Sequence, residues 1–75
     1  MTRTEFLKSM DTMLELPEGT LTGSEKLKDL EQWTSMAVVS FIALADENNR
    51  VTLSPRQLSN CSTVGELLEL AKVEA

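Results

Sequence analysis

The sequence has no histidine and no tyrosine, and its single cysteine is Cys61. A disulfide within these residues is therefore excluded, and a zinc site would have almost no ligands. Without histidine, the commonest arrangements for general acid or base catalysis of hydrolysis are also excluded. Seventy-five residues leave room for one small core and little room for a deep substrate pocket. We therefore expect a protein that is not an enzyme and has neither catalytic residues nor a metal site.

Basic residues are also few, with seven Lys and Arg against twelve Asp and Glu and a net charge of −5. This balance argues against nucleic acid as a partner, because lysine and arginine must neutralise its phosphates. It favours partner proteins with basic patches. No apolar run is long enough to span a membrane, and the N-terminus lacks the apolar core of a signal peptide. We therefore expect a cytoplasmic, monomeric protein.

The N-terminal pattern predicts a first helix from Thr2 to Leu16. Thr2 and Glu5 have the spacing of a capping box, and Pro17 and Gly19 end the helix. An apolar stripe at helical spacing is formed by Phe6, Leu7, Met10, Met13 and Leu14. The opposite, polar side is formed by Lys8, Asp11 and Glu15.

The stretch from residue 16 to residue 33 is rich in turn formers and predicts a long first loop. Within it, Ser24 is a candidate cap for a helical turn that ends near Leu30. Four apolar side chains are candidate anchors that hold this loop on the core: Leu21, Leu27, Leu30 and Trp33.

A second helix is predicted from Ser35 to Glu47, with Thr34 as its cap. No charged residue occurs from Ala37 to Ala45, so this helix is apolar almost all round. A chain this short cannot enclose such a helix on every side, and part of the apolar surface should face outward. The two asparagines after the helix, Asn48 and Asn49, are candidates for a left-handed turn.

Two further helices complete the prediction. Ser54 and Pro55 have the pattern of a cap and a first helical residue, and Leu58 is the anchor of the short third helix. Residues 63–66 have the pattern of a second capping box, which opens a last helix with an inner stripe. That stripe consists of Val64, Leu67, Leu68 and Ala71. The fold class predicted is all-α, a small bundle of three main helices and one short helix.

These pieces, in this order, resemble the acyl carrier proteins over nearly the whole chain. The signature of that family is Asp-Ser-Leu at the start of the second helix. Ser35 matches the serine and Met36 the leucine, while Thr34 stands where the aspartate is usual. Residues 27–30, 51–53 and 63–67 resemble, in turn, the family's approach to the serine, its connector and the start of its last helix.

The resemblance implies that residues 1–75 form one acyl-carrier-like domain of the four-helix type. It implies a 4′-phosphopantetheine arm, taken from coenzyme A and attached to Ser35, which holds an acyl group as a thioester. The partners implied are a phosphopantetheinyl transferase and enzymes that load or use the acyl group, with basic or apolar docking patches. The docking residues expected on and beside the second helix are Thr34, Met36, Ser40, Ala43, Asp46 and Glu47.

Thr34 keeps the capping oxygen of the usual aspartate and lacks its charge, and acids on the second helix appear only at Asp46 and Glu47. We therefore expect a free-standing, specialised carrier in a lipid or secondary-metabolite pathway, whose partners rely more on apolar contact than on charge. Two alternatives stay open: a carrier of aminoacyl or peptidyl groups, and a helical interaction module that keeps the fold without the arm. Trp33 is expected to be an anchor, and Cys61 a small buried residue.

Overall fold

Hydroxyl side chains mark the start of each α-helix in the computed structural model, which describes residues 2–73. The helices of this part of the chain are α1 (Arg3–Met13), α2 (Ser35–Asn49), α3 (Pro55–Ser59) and α4 (Val64–Leu70). A single 3-10 turn, Leu27–Asp29, lies in the loop between α1 and α2. Residues 2–73 contain no strand, and Lys26 and Thr63 form an isolated bridge. The small helical bundle expected from the sequence is confirmed.

The predicted caps form as expected at three of the four helices. Thr2 accepts from the Glu5 amide at 3.2 Å, and the Glu5 side chain completes the box. Ser54 forms the same reciprocal pair with Gln57, one residue before Pro55. Thr34 caps α2. At α4, Thr63 caps the helix as predicted, but the reciprocal bond that would make a box is not formed within the described chain.

α1 ends at Met13, earlier than the predicted Leu16. The Glu15 backbone is left-handed, with φ of 59°, and its amide donates to the Thr12 carbonyl at 3.1 Å. The Leu16 amide donates to the Asp11 carbonyl at 2.8 Å. This pair of bonds is a Schellman closure, which satisfies the last carbonyls of a helix and turns the chain away.

α2 runs to Asn49 and therefore extends past the predicted end at Glu47. The expectation that an asparagine adopts the left-handed turn is wrong. Arg50 adopts it, with φ of 55° and ψ of 37°. Both asparagine side chains are used elsewhere: Asn48 donates to the Leu44 carbonyl, and Asn49 donates to the Ala71 carbonyl at 2.8 Å.

Asp11 is buried, and its placement on the polar side of the first helix is wrong. Its side chain is 1% exposed. One carboxylate oxygen accepts from the Gly19 amide and the other from the Leu21 amide, each at 3.0 Å. The carboxylate is thus buried because it satisfies two amides of the loop that follows α1.

The long first loop is tied to the start of α4. Lys26 and Thr63 form an antiparallel bridge, in which the Leu27 amide donates to the Ser62 carbonyl at 2.9 Å. The Gly65 amide donates to the carbonyl oxygen of Gly23 at 2.7 Å. A Cβ on Gly65 would lie 2.9 Å from that oxygen, so glycine permits this close approach.

The expected cap at Ser24 is wrong, because the 3-10 turn follows Lys26 and has no side-chain cap. Glu25 organises the loop instead. Its carboxylate accepts from the amides of Thr22 and Gly23, each at 2.9 Å. The neighbouring charges of residues 26, 28, 29 and 31 are exposed, as expected of a solvated loop face.

The core lies between α1, α2 and α4, with the loop leucines closing it. Phe41 of α2 packs edge-to-face on Phe6 of α1, with ring centroids 5.7 Å apart. Trp33 packs on Phe41 in the same way at 6.2 Å, which confirms its expected role as an anchor. The expected loop anchors and the inner stripe of α4 all pack in this core, together with Leu53 and Leu58.

Candidate functional site

Ser35 is the first residue of α2, and its side chain is exposed. The turn that precedes it is extended at Thr34, whose hydroxyl accepts from the Ala37 amide at 3.3 Å. Thr34 therefore keeps the helix start in place and leaves the neighbouring hydroxyl at the surface. The first amides of a helix have no partner within it, and the helix dipole adds positive potential there. This position favours an anionic group on Ser35.

One side of this helix start borders a groove between α2 and α3, which we call the α2–α3 groove. Its volume is about 410 Å³. Its lining is mainly apolar and includes Ser35 itself: Trp33, Ser35, Val38, Val39, Pro55, Leu58 and Ser59. A group attached to the Ser35 hydroxyl would therefore have open apolar surface directly beside it.

The other side borders a second groove between α1 and α2, which we call the α1–α2 groove. Its volume is about 340 Å³, and it is lined by Met13, Leu14, Glu15, Gln32, Thr34, Met36, Ala37 and Ser40. No residue lines both grooves. The start of α2 is thus a ridge between two grooves, with Ser35 on one slope and Thr34 on the other.

The six residues expected to contact partners are all exposed. They are Thr34, Met36, Ser40, Ala43, Asp46 and Glu47. Met36, Ser40, Ala43 and Glu47 follow one another at intervals of three or four residues, so they share one face of α2. One exposed face of α2 therefore has an apolar start and an acidic end.

Val39 belongs to the same exposed surface and is absent from the set chosen from the sequence. It is 64% exposed, and Met36 is 79% exposed; these are the two large apolar side chains that stand out in this way within the described chain. The signal was present in the sequence, because Val39 lies three residues after Met36 in a helix with no charged neighbour. Large exposed apolar side chains that lie together mark candidate contact surfaces.

Charge is scarce at this site. The first turn of α2 carries no acid, and the acids of this helix lie at its C-terminal end. The ion pair found in residues 2–73 joins Lys8 and Glu18 at 3.2 Å, away from α2. The start of α2 itself therefore presents apolar and hydroxyl groups to a partner, and the carboxylate that lines the α1–α2 groove beside it is that of Glu15.

Cys61 is half-buried, whereas a buried residue was expected. Burial raises the pKa of its thiol, and the carboxylates of Glu66 and Glu69 raise it further. The thiol donates to the Gln57 carbonyl at 3.6 Å. A raised pKa leaves less of the thiol as thiolate at neutral pH, which disfavours Cys61 as a nucleophile.

Comparisons of the chain with protein-family models, with curated proteins and with solved structures find no match. Within the described part of the chain, His, Cys, Asp and Glu side chains form no cluster of three that would suit a metal ion. None of the helices in residues 2–73 has the length and apolar character needed to cross a bilayer.

Proposed function

We propose that this chain is an acyl carrier protein in which Ser35 carries a 4′-phosphopantetheine arm. The observation that carries the proposal is the exposed hydroxyl at the first residue of a capped helix, on the slope of an open apolar groove. Residues 33–36 and the order of the helices resemble those of the acyl carrier proteins, and this resemblance suggests that the exposed serine is the attachment site. The fifteen-residue helix behind Ser35 supplies the amides and dipole that favour a phosphodiester there.

The attachment reaction is a transfer of a phosphoryl-linked group to Ser35. The Ser35 oxygen attacks the pyrophosphate of coenzyme A, and a new bond forms between that oxygen and phosphorus. The bond to the second phosphate breaks, adenosine 3′,5′-bisphosphate leaves, and the serine proton passes to a base of the transferase. We propose that the transferase, and not this chain, supplies that base.

The residues around Ser35 fit such an arm. The exposed hydroxyl lies at the surface, and the α2–α3 groove next to it offers apolar walls from Val38, Val39 and Leu58. When bound, the arm supplies a thiol that holds an acyl group as a thioester. Tethering raises the effective concentration of this cargo at an enzyme that is docked on the carrier.

The partners we propose are the transferase and the enzymes that load or use the acyl group. The exposed face of α2 is where we expect the enzymes that load or use the acyl group to bind, through Met36, Val39 and Ala43 and then through Asp46 and Glu47. Because the acids lie only at the far end, we propose dedicated partners in a specialised lipid or secondary-metabolite pathway. An aminoacyl or peptidyl cargo would use the same serine and arm.

The second candidate function is a helical interaction module that binds partners through α2 and carries no arm. The exposure of Met36 and Val39 beside the uncharged Thr34 supports it. The two candidates differ in one property, which is whether Ser35 accepts phosphopantetheine.

Intact-mass measurement after incubation with coenzyme A and a phosphopantetheinyl transferase separates the candidates. We expect the wild type to gain one phosphopantetheine, Ser35→Ala to gain none, and Ser62→Ala to behave as the wild type. Ser62 is the matched control, because it is an exposed serine that lines neither groove. If neither a broad-specificity transferase nor that of the source organism modifies the wild type, the carrier function is wrong and the interaction module is favoured.

A further inference from the structure

The α1–α2 groove contains a carboxylate that the sequence does not place near the candidate site. Glu15 lies twenty residues before Ser35 in the chain, yet it lines the same groove as Thr34 and Met36. It reaches this position because the chain leaves α1 through the left-handed backbone of Glu15, which turns the following loop away. Thr34 brings no charge to this groove, and Glu15 brings one.

The charge of Glu15 is not balanced within the described chain. The ion pair found there uses Lys8 and Glu18, and Glu15 is exposed. The groove lining contains no Lys or Arg, and the whole chain has a net charge of −5. The complement of this groove is therefore a cationic side chain that comes from another molecule.

The groove also has apolar walls that suit a protein partner. Met13 of α1 is partly buried, and Met36 of α2 is 79% exposed on the opposite wall. Methionine side chains are flexible and polarisable, and they are frequent on surfaces that accept protein partners. A carboxylate next to two methionines matches a partner that presents Lys or Arg beside an apolar side chain.

We propose that the enzyme that modifies Ser35 docks in the α1–α2 groove, with a basic side chain on Glu15 and an apolar side chain between Met13 and Met36. This inference rests on the proposed modification of Ser35. It assigns the enzyme's contact to the groove that Ser35 does not line. The bound enzyme therefore leaves the α2–α3 groove open for the arm that it attaches.

Steady-state kinetics of phosphopantetheine transfer to apo protein test the docking site. We compare Glu15→Gln with Glu69→Gln, which makes the same change of charge at an exposed residue of α4 outside both grooves. We expect Glu15→Gln to lower kcat/KM for the carrier by about fivefold to tenfold at low ionic strength, and Glu69→Gln to change it by less than about twofold. The difference should nearly vanish at about 1 M salt, where the screening length falls to about 3 Å.

A charge-reversed pair, Glu15→Lys and Glu69→Lys, extends the test with equal net charges. Glu15→Lys should show the larger loss, and its rate should rise with salt as the repulsion is screened. Thermal unfolding midpoints of all four variants control for folding. Equal rates for the variants at residues 15 and 69 overturn the docking site and leave the function of Ser35 intact. Failure to modify the wild type with any transferase overturns both.

Discussion

A single carboxylate, that of Asp11, holds part of the loop that follows α1. It is 1% exposed and accepts from the Gly19 and Leu21 amides, so it holds this part of the loop against the helix. Leu21 is buried two residues after the first of these contacts. Hydrogen bonds to a charged acceptor are stronger than those between neutral groups. Asp11 therefore stabilises the loop that delivers Glu15 and, further on, Thr34.

We predict that Asp11→Asn lowers the free energy of unfolding by about 2–3 kcal/mol. The amide side chain can accept from one loop amide only, and its NH₂ group faces the other, which leaves a buried donor unsatisfied. The control is Glu18→Gln, the same chemical change in the exposed pair with Lys8, which should cost less than about 1 kcal/mol. Urea unfolding of the two variants measures both values. Equal losses would show that the Asp11 contacts do not stabilise the loop.

Helix ends are the elements that differ most from the sequence prediction. The starts were predictable because a cap and its amide lie within three residues, as at Thr2, Thr34, Ser54 and Thr63. The ends depend on which residue adopts a left-handed backbone, and Glu15 and Arg50 do so although neither type is favoured there. In this chain α1 and α2 therefore end where Glu15 and Arg50 turn the backbone.

A substitution at Arg50 tests the energetic cost of a left-handed backbone at a residue other than glycine. We predict that Arg50→Gly is more stable than Arg50→Ala by about 1 kcal/mol, because alanine retains the Cβ that disfavours φ of 55°. Both variants remove the same charge, so their difference isolates the backbone term. Thermal or urea unfolding measures it. A more stable alanine variant would mean that α2 does not end in the left-handed turn at residue 50.

The candidate site was predictable only in part, because some of its residues are neighbours in sequence and others are not. Thr34, Ser35 and Met36 are adjacent in sequence, and a cap followed by an apolar helix predicts their exposure at a helix start. Glu15 and the two grooves depend on how α1 and α3 pack beside α2, which no local pattern encodes. Asp11 was misplaced because its partners lie eight and ten residues further along the chain. Residues whose contacts are distant in sequence are those that pattern reasoning misses.

At the scale of the whole molecule, acidic side chains serve as internal acceptors as well as surface charges. Glu25 accepts from two loop amides and the Thr22 hydroxyl, and the adjacent Lys26 is bridged to Thr63 at the start of α4. Glu5 accepts from Thr2 at the start of α1. The Thr2 hydrogen bonds lower the pKa of Glu5. An acidic chain can thus gain stability from its own carboxylates, provided that they remain ionised.

Glu25 makes the fold sensitive to acid. Partial burial acts to raise its pKa, but the amides of Gly23, Glu25 and Thr22 outweigh burial and hold the pKa below its ordinary value. An unfolded chain has a glutamate pKa of about 4.3, so the folded state binds this proton less readily. The stability that Glu25 contributes is fully present well above that pH and is lost as the pH falls through the lower, folded-state pKa.

We therefore predict that the difference in free energy of unfolding between the wild type and Glu25→Gln is largest near neutral pH and shrinks as the pH falls below about 4.3. Glutamine cannot ionise, so the variant lacks this part of the acid response. The control is Glu31→Gln, which removes one charge from an exposed residue of the same loop. Urea unfolding of the three proteins between about pH 6 and about pH 3 measures the effect. If the free energies of unfolding of Glu25→Gln and Glu31→Gln change with pH in the same way, the amide contacts of Glu25 do not couple its protonation to the stability of the loop. If the difference from the wild type shrinks at low pH for Glu25→Gln and not for Glu31→Gln, the Glu25 carboxylate is the group through which acid weakens the attachment of the first loop to α4.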